Sequence, residues 1–156
     1  MPSLVQLSRY CAHLKNCLNV TLSKTSVPYN RTNLLASMAL YQQGFIGGVT
    51  TGSTKGPDRV PVTATPDNIA SRRLWLDLKY RNNLPVINEI EMISTPKRWI
   101  NLSKEEVKAL ASGLKVRHLQ PLQPAECIFI DNAKELLEVQ DAAKIGVHGR
   151  AVFRVR

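Results

Sequence analysis

The sequence predicts an α+β fold in two small modules, and three observations carry that expectation. An apolar stripe at helical spacing runs from Leu4 to Leu18, strict alternation fills Leu74–Tyr80, and the second half mixes short alternating runs with Gly and Pro punctuation. With 156 residues, 44% of them apolar, the chain has enough material for one or two compact cores. The modules divide near Arg81–Pro85. Residues 1–82 read as helix-strand-helix-strand-strand, and residues 83–156 as a strand-rich module with short helices.

Each element has a local cause. Leu4, Leu7, Cys11, Leu14 and Leu18 share one helix face, with Arg9, His13 and Asn16 opposite and Lys15 at the edge. Thr25–Pro28 is extended, because Pro28 disfavours helix at Val27. Asn30 caps a second helix through Gln43, with Leu34, Leu35, Met38 and Tyr41 expected inward. Gly44 supplies a left-handed stop, and Phe45-Ile46 open the next strand. From Gly47 to Arg73, four glycines and three prolines leave few large apolar residues, so a long hairpin loop or surface excursion is expected.

Leu74, Leu76, Leu78 and Tyr80 then face one side, and Trp75, Asp77 and Lys79 the other. Asn82-Asn83 make a turn, and a strand follows Pro85 through Ser94. Ser103 and Glu106 form a capping box for a short helix with Val107, Leu110, Ala111 and Leu114. Strands are expected at Leu114–Leu119 and Cys127–Ile130, around a Pro121/Pro124 loop. Asn132 and Glu135 have the spacing of a second capping box, for a helix through Ala143. The last run alternates, with Ala151, Phe153 and Val155 inward. Arg150, Val152, Arg154 and Arg156 are then outward, which makes a cationic patch or, alternatively, an edge strand protected by charge.

Charge is segregated along the chain. The first carboxylate is Asp58, so Arg9, Lys15, Lys24, Arg31 and Lys55 precede every acid in a protein of net charge +9. Folding does not require such segregation, whereas a polyanion partner gains from it through counterion release. Met1–Lys24 is also amphipathic and hydroxyl-containing, as organelle-targeting segments are, although it doubles as the first helix and would have to stay uncleaved. A membrane-surface role for that helix is the lesser alternative.

Other chemistry is not expected. Cys11, Cys17 and Cys127 lack zinc-ligand spacing and do not cluster with His13, His118 or His148, which indicates reduced thiols, no metal and no cofactor. The glycosylation-type triplets at Asn19, Asn30 and Asn101 are chance matches. Gly47-x4-Gly52-Ser53 lacks a phosphate-binding lysine, and no nucleophile elbow, metal-binding helix or dinucleotide glycine pattern occurs. No enzyme and no small-molecule substrate are expected. The apolar runs are too short to insert in a membrane.

The order of short motifs resembles one family. Leu14-Lys15-Asn16, Val27-Pro28, Gly44-Phe45-Ile46, Leu78-Lys79-Tyr80, Ile93-Ser94-Thr95-Pro96 with Arg98, Ser112-Gly113-Leu114 and the stretch Ala142 through Gly149 are similar to small-subunit ribosomal protein number eight. The resemblance implies a structural ribosomal component that binds the central domain of small-subunit rRNA and meets neighbouring small-subunit proteins. Where that family carries Ser-Thr-x-x-Gly, this chain has Asp131-Asn132-Ala133-Lys134-Glu135. This change and the long Gly47–Arg73 stretch indicate a divergent mitochondrial member, located in the matrix; a bacterial cytoplasmic origin is the alternative. The RNA-facing candidates are Lys15, Asn16, Asn30, Arg31, Lys97, Arg98, Asn132, Lys134, Arg150 and Arg154, since A-form RNA is met through shape, 2′-hydroxyls and phosphates. A free-standing RNA-binding regulator is the second functional reading, and a small RNA-modifying enzyme the third.

Overall fold

The computed structural model describes residues 4–60 and 62–156; Met1–Ser3 of the amphipathic N-terminal segment and Pro61 of the long loop lie outside the described residues. The fold is mixed α+β. Its residues group into two compact units, one formed by Ala12–Ile87 and the other by Asn88–Arg156 together with residues 4–11.

Helix α1 (Leu4–Asn19) buries the predicted stripe of Leu4, Leu7, Cys11, Leu14 and Leu18, widened by Tyr10 and Cys17. In the first unit, β1 (Lys24–Pro28) precedes α2 (Arg31–Gln42), and β2 (Ile46–Gly52) and β3 (Arg73–Leu78) follow. The sheet is antiparallel in the order β1-β3-β2, with Leu76 opposite Thr25 on one side and Val49 on the other. Leu74, Leu76 and Leu78 of the central strand are buried, as period-two alternation requires. A small hairpin, β4 (Tyr80–Arg81) and β5 (Leu84–Pro85), turns on Asn82 and Asn83 at φ 52° and 62°, the left-handed pair that a two-residue turn demands.

In this unit one expectation fails and another holds only in part. On α2, Leu34 and Leu35 are half-buried, and Met38 and Tyr41 are 40% and 48% exposed. The buried face is instead Thr32, Asn33, Ala36, Ser37, Ala39 and Leu40. Small residues let the helix approach closely, and two of its polar side chains donate locally, Asn33 Nδ2 to Pro28 O and Ser37 Oγ to Asn33 O, while Asn33 Oδ1 is buried without a hydrogen-bond partner. The stretch 47–73 is a hairpin connection, but its first residues form most of β2. Main-chain pairing to β3 supplies what apolar side chains do not. Arg72 pins the connection from within, pairing with Asp58 at 2.6 Å and donating to Val62 O.

The second unit contains β6 (Ile90–Met92), β7 (Asn101–Leu102), α3 (Lys104–Ala111), β8 (Cys127–Asp131), β9 (Leu136–Glu138), α4 (Val139–Ile145) and β10 (Gly149–Val155). The sheet order is β6-β10-β8-β9, with β7 also pairing β10. Its core joins Val107 and Leu110 of α3, Val139 and Ala142 of α4, and Ile128, Ile130 and Ala151 of the sheet. The Ser103–Glu106 capping box is present in both directions. Leu114–Leu119 is not a strand: it turns through Arg117 at φ 52°, leaves Leu114 60% exposed, and keeps one isolated bridge from Val116 to Leu119.

The predicted helix start at Asn132 and Glu135 is also overturned. Residues 136–138 pair with β8, so 132–135 must close a hairpin, and the cap passes to Glu138. Nor does the last strand alternate simply or lie at an edge. Its register shifts between Ala151 and Phe153, so Val152 is buried rather than outward, and β10 is paired on both sides.

Gly149 tests this packing. A Cβ there would lie 2.5 Å from Asp131 O, against backbone that cannot yield, whereas one at Gly56 meets nothing within 4 Å. Gly149→Ala is expected to lower the urea-unfolding free energy by about 1–3 kcal/mol. Gly56→Ala should leave it within about 0.5 kcal/mol.

Candidate nucleic-acid interface

Four candidates stand in the first unit. Asn16 is exposed on α1, and Lys15 beside it is half-buried. Asn30 occupies the N-cap of α2 with extended backbone, its side-chain oxygen accepting the Asn33 N–H at 2.8 Å. Arg31 follows, exposed at the first helical position, and the first turn of α2 contains no acid. The positive end of the helix dipole and the Arg31 side chain therefore meet at one place. Lys24, also acid-free in its sequence surroundings, pairs with Asp77 at 3.3 Å.

The second unit brings its candidates together in two grooves. Lys97 and Arg98 are exposed on a tight turn closed by reciprocal main-chain bonds between Thr95 and Arg98. Arg98 and Arg154 line one groove of about 230 Å³, with His118, Gln120 and Glu91. Asn132 and Arg150 line a second, of about 330 Å³, with Asn101, Asp131 and His148. Lys134 is exposed in the hairpin turn beside Asn132. That turn is held by Asp131 Oδ1 accepting the Ala133 N–H, with Ala133 at φ 59°.

The expected patch of outward arginines does not form. Arg150 is 7% exposed, its guanidinium 3.9 Å from the centroid of the Trp99 ring. Arg154 pairs with the buried Glu126 at 3.1 Å, and Arg156 with Glu89 at 2.9 Å. The bulge in β10 is the cause, since it changes which side chains the strand turns inward. Charge protection of an edge strand also fails as a reading, because β10 is paired on both sides. Trp99 is the residue that sequence reasoning missed: no periodic pattern singles it out between Arg98 and Ile100, and its ring is 52% exposed.

Burial also sets the titrating groups. It pushes the Cys11 thiol up to about 12 and, with the charges of Glu138, Glu126 and Asp141, the Cys127 thiol to about 11. Both stay protonated at neutral pH and are poor nucleophiles. Among the described residues no group of three or more His, Cys, Asp or Glu is placed to hold a metal ion, and no helix is long and apolar enough to cross a membrane.

Comparison with known proteins fits this arrangement of elements. The family model described as Ribosomal protein S8 matches residues 6–120. The chain belongs to this family. Small ribosomal subunit protein uS8m of Neurospora crassa is 34% identical over 157 residues, covering 97% of this chain and 98% of that protein. The protein of the same name from Schizosaccharomyces pombe is 36% identical over 152 residues, covering 97% and 100%. Small ribosomal subunit protein uS8 of Chlorobium chlorochromatii is 25% identical over 156 residues, covering 99% of each. The S8 family match ends at Gln120, ahead of the hairpin that carries Asp131 and Glu135, whereas the two fungal similarities run nearly the full length.

Within this S8-family chain, the local role of the hairpin can be separated from that of the helix cap. Glu138 Oε2 accepts the Gln140 and Asp141 N–H groups at 2.7 and 3.3 Å, while its Oε1 is buried without a hydrogen-bond partner. Burial raises its pKa more than these bonds lower it. Because the folded value is raised, the stability linked to the protonated form is lost as pH rises through it. Glu138→Ala is expected to cost about 1 kcal/mol by loss of the cap. Glu138→Gln keeps an acceptor and should remove this component of the pH dependence. Asn132→Ala, in the turn, should change stability by less than about 0.5 kcal/mol. Urea unfolding of the three variants across the acid range checks the set.

Proposed function

We propose that this protein is a structural constituent of a mitochondrial small ribosomal subunit, where it binds and organises small-subunit rRNA during assembly and translation. The reading rests on family membership and on near-full-length similarity to proteins named uS8m in two fungi. The single geometric observation that carries it is the entrance to α2. There a capped helix N-terminus without first-turn acids, and Arg31 beside it, stand within a 57-residue stretch that contains no carboxylate. Such a surface recognises phosphate and backbone rather than base sequence.

By family resemblance the target is the central domain of the rRNA, and the compartment is the mitochondrial matrix. Residues 1–82 act as an RNA-binding module through Lys15, Asn16, Asn30 and Arg31. Residues 83–156 meet RNA through Lys97, Arg98, Asn132 and Lys134, and also meet neighbouring small-subunit proteins. Arg150 and Arg154 contribute mainly by fixing local structure, because one lies buried against Trp99 and the other against Glu126. The mechanism is binding, not catalysis: the folded protein holds RNA helices in one arrangement.

Three measurements test this. If about six phosphates are neutralised, affinity for a small-subunit rRNA fragment should fall roughly a thousandfold between about 50 and 200 mM salt. A flat response would instead favour a protein or small-molecule partner. Asn30→Ala with Arg31→Ala should cost about 1 kcal/mol of stability and about 1.5–3 kcal/mol of RNA binding. Unchanged RNA affinity in the folded double variant would assign both residues to the fold alone. Stoichiometric co-sedimentation with mitochondrial small subunits separates a ribosomal constituent from a free-standing RNA-binding regulator.

A further inference from the structure

We propose that the exposed face of Trp99 is a stacking platform for an unpaired RNA base, an inference that rests on the RNA-binding reading above. The indole is 52% exposed, whereas the guanidinium over its ring belongs to Arg150, which is 7% exposed. A large aromatic ring left in water is a poor core element, but here it is packed by a buried cation. Among the described residues no carboxylate pairs with Arg150, and its Nε has no hydrogen-bond partner. The ring is therefore its main local compensation, through cation–π attraction. Tying the ring to a buried side chain limits its rotamer freedom in advance, so docking a flat partner costs little further ordering.

The surroundings favour nucleic acid over protein as that partner. Residues 93–101 contain no acid, and Lys97 and Arg98 directly precede Trp99, both exposed. Arg150 also lines the groove that contains Asn101, Asn132 and His148, all of which carry hydrogen-bonding groups suited to base edges or ribose. Two carboxylates line the adjoining grooves. Asp131 is engaged by the Ala133 N–H, and Glu91 faces Arg98 and Arg154. A ring flanked by cations and free on part of its surface suits a base with a phosphate on either side. Paired bases in an A-form helix keep their faces stacked, so the occupant is a base in a loop, bulge or strand end.

The test uses the full chain with Trp75→Phe, which leaves Trp99 as the remaining fluorophore of two tryptophans. Two RNA probes of equal length are titrated at low salt, a hairpin with an unpaired loop and a fully paired duplex. Quenching of Trp99 by the hairpin and not by the duplex is expected. In the otherwise natural chain, Trp99→Leu should weaken hairpin binding about tenfold and duplex binding less than about twofold, and Trp99→Phe should recover most of the loss. Hairpin binding with unchanged Trp99 emission and full affinity in Trp99→Leu overturns the platform and leaves the RNA-binding reading intact. Equal losses on both probes also overturn it, as they mark a structural effect through Arg150. No binding to either RNA overturns both readings. Burial of Trp99 only by small-subunit ribosomal proteins, not by RNA, transfers the residue to a protein contact and overturns the proposal.

Discussion

Ser94, fully buried, donates its hydroxyl to the Ala151 carbonyl and accepts the Ile100 amide, and these bonds hold β10 where its register shifts. The Ile93 and Ser94 amides both donate to Val152 O, while the Ala151 amide donates to Ile100 O. A strand can carry an extra residue only if its main-chain groups find partners elsewhere, since a buried unsatisfied amide costs about 1–3 kcal/mol. The connection between β6 and β7 supplies those partners. It thereby fixes Trp99 against Arg150, sinks Val152 into the core, and turns Arg154 toward Glu126. Chemistry displayed by the second unit follows from that one irregularity.

The same constraint changes the meaning of the net charge. Several C-terminal cations have nearby acids: Arg154 with Glu126, Arg156 with Glu89, Arg117 with Glu106, and Lys144 with Asp141. Exposed pairs of this kind contribute little stability, about 0–1 kcal/mol each. The Arg154–Glu126 pair is different, because breaking it would strand Glu126 in a buried position. Net +9 is therefore not spread as free charge over the molecule. The acid-free start of the chain is the clearest imbalance along the sequence, which is why the proposed RNA contact is placed at the entrance to α2 rather than on the arginine-rich last strand.

Local chemistry was the legible part of the fold. Spacing in α1 identified its buried face, Asn30 and Ser103 identified two caps, Asn82-Asn83 identified a turn, and alternation identified β3. Each signal depends on neighbours within a few residues. The misses required tertiary information. Ala36, Ser37 and Ala39 win the buried face of α2 from Met38 and Tyr41 because close approach matters more there than side-chain size. Val152 is buried because of Ser94, 58 positions away in the sequence. Leu136–Glu138 pairs as a strand because β8 is available beside it, which overrides a capping-box spacing at Asn132 and Glu135. Among the site candidates, exposure of Arg31, Lys97 and Arg98 agrees with their proposed role, whereas the burial of Arg150 could not be read without its partner Trp99.

The hairpin at 131–135 is shaped by its own residues. Ala133 adopts φ 59°, a conformation that costs an alanine about 1–2 kcal/mol. Antiparallel pairing of Asp131 with Leu136, and acceptance of the Ala133 amide by Asp131 Oδ1, offset that cost. The aspartate is thus partly a turn-forming residue, so its negative charge is not simply an obstacle set against phosphate. Its second oxygen and the exposed Glu135 still disfavour close approach of a phosphate backbone. A base edge or a ribose hydroxyl, which can donate a hydrogen bond to carboxylate, remains compatible with the same turn. On the proposed RNA-binding reading, the geometry suits two kinds of contact: phosphate at the basic entrance of α2, and neutral donors or stacked bases near the hairpin and Trp99.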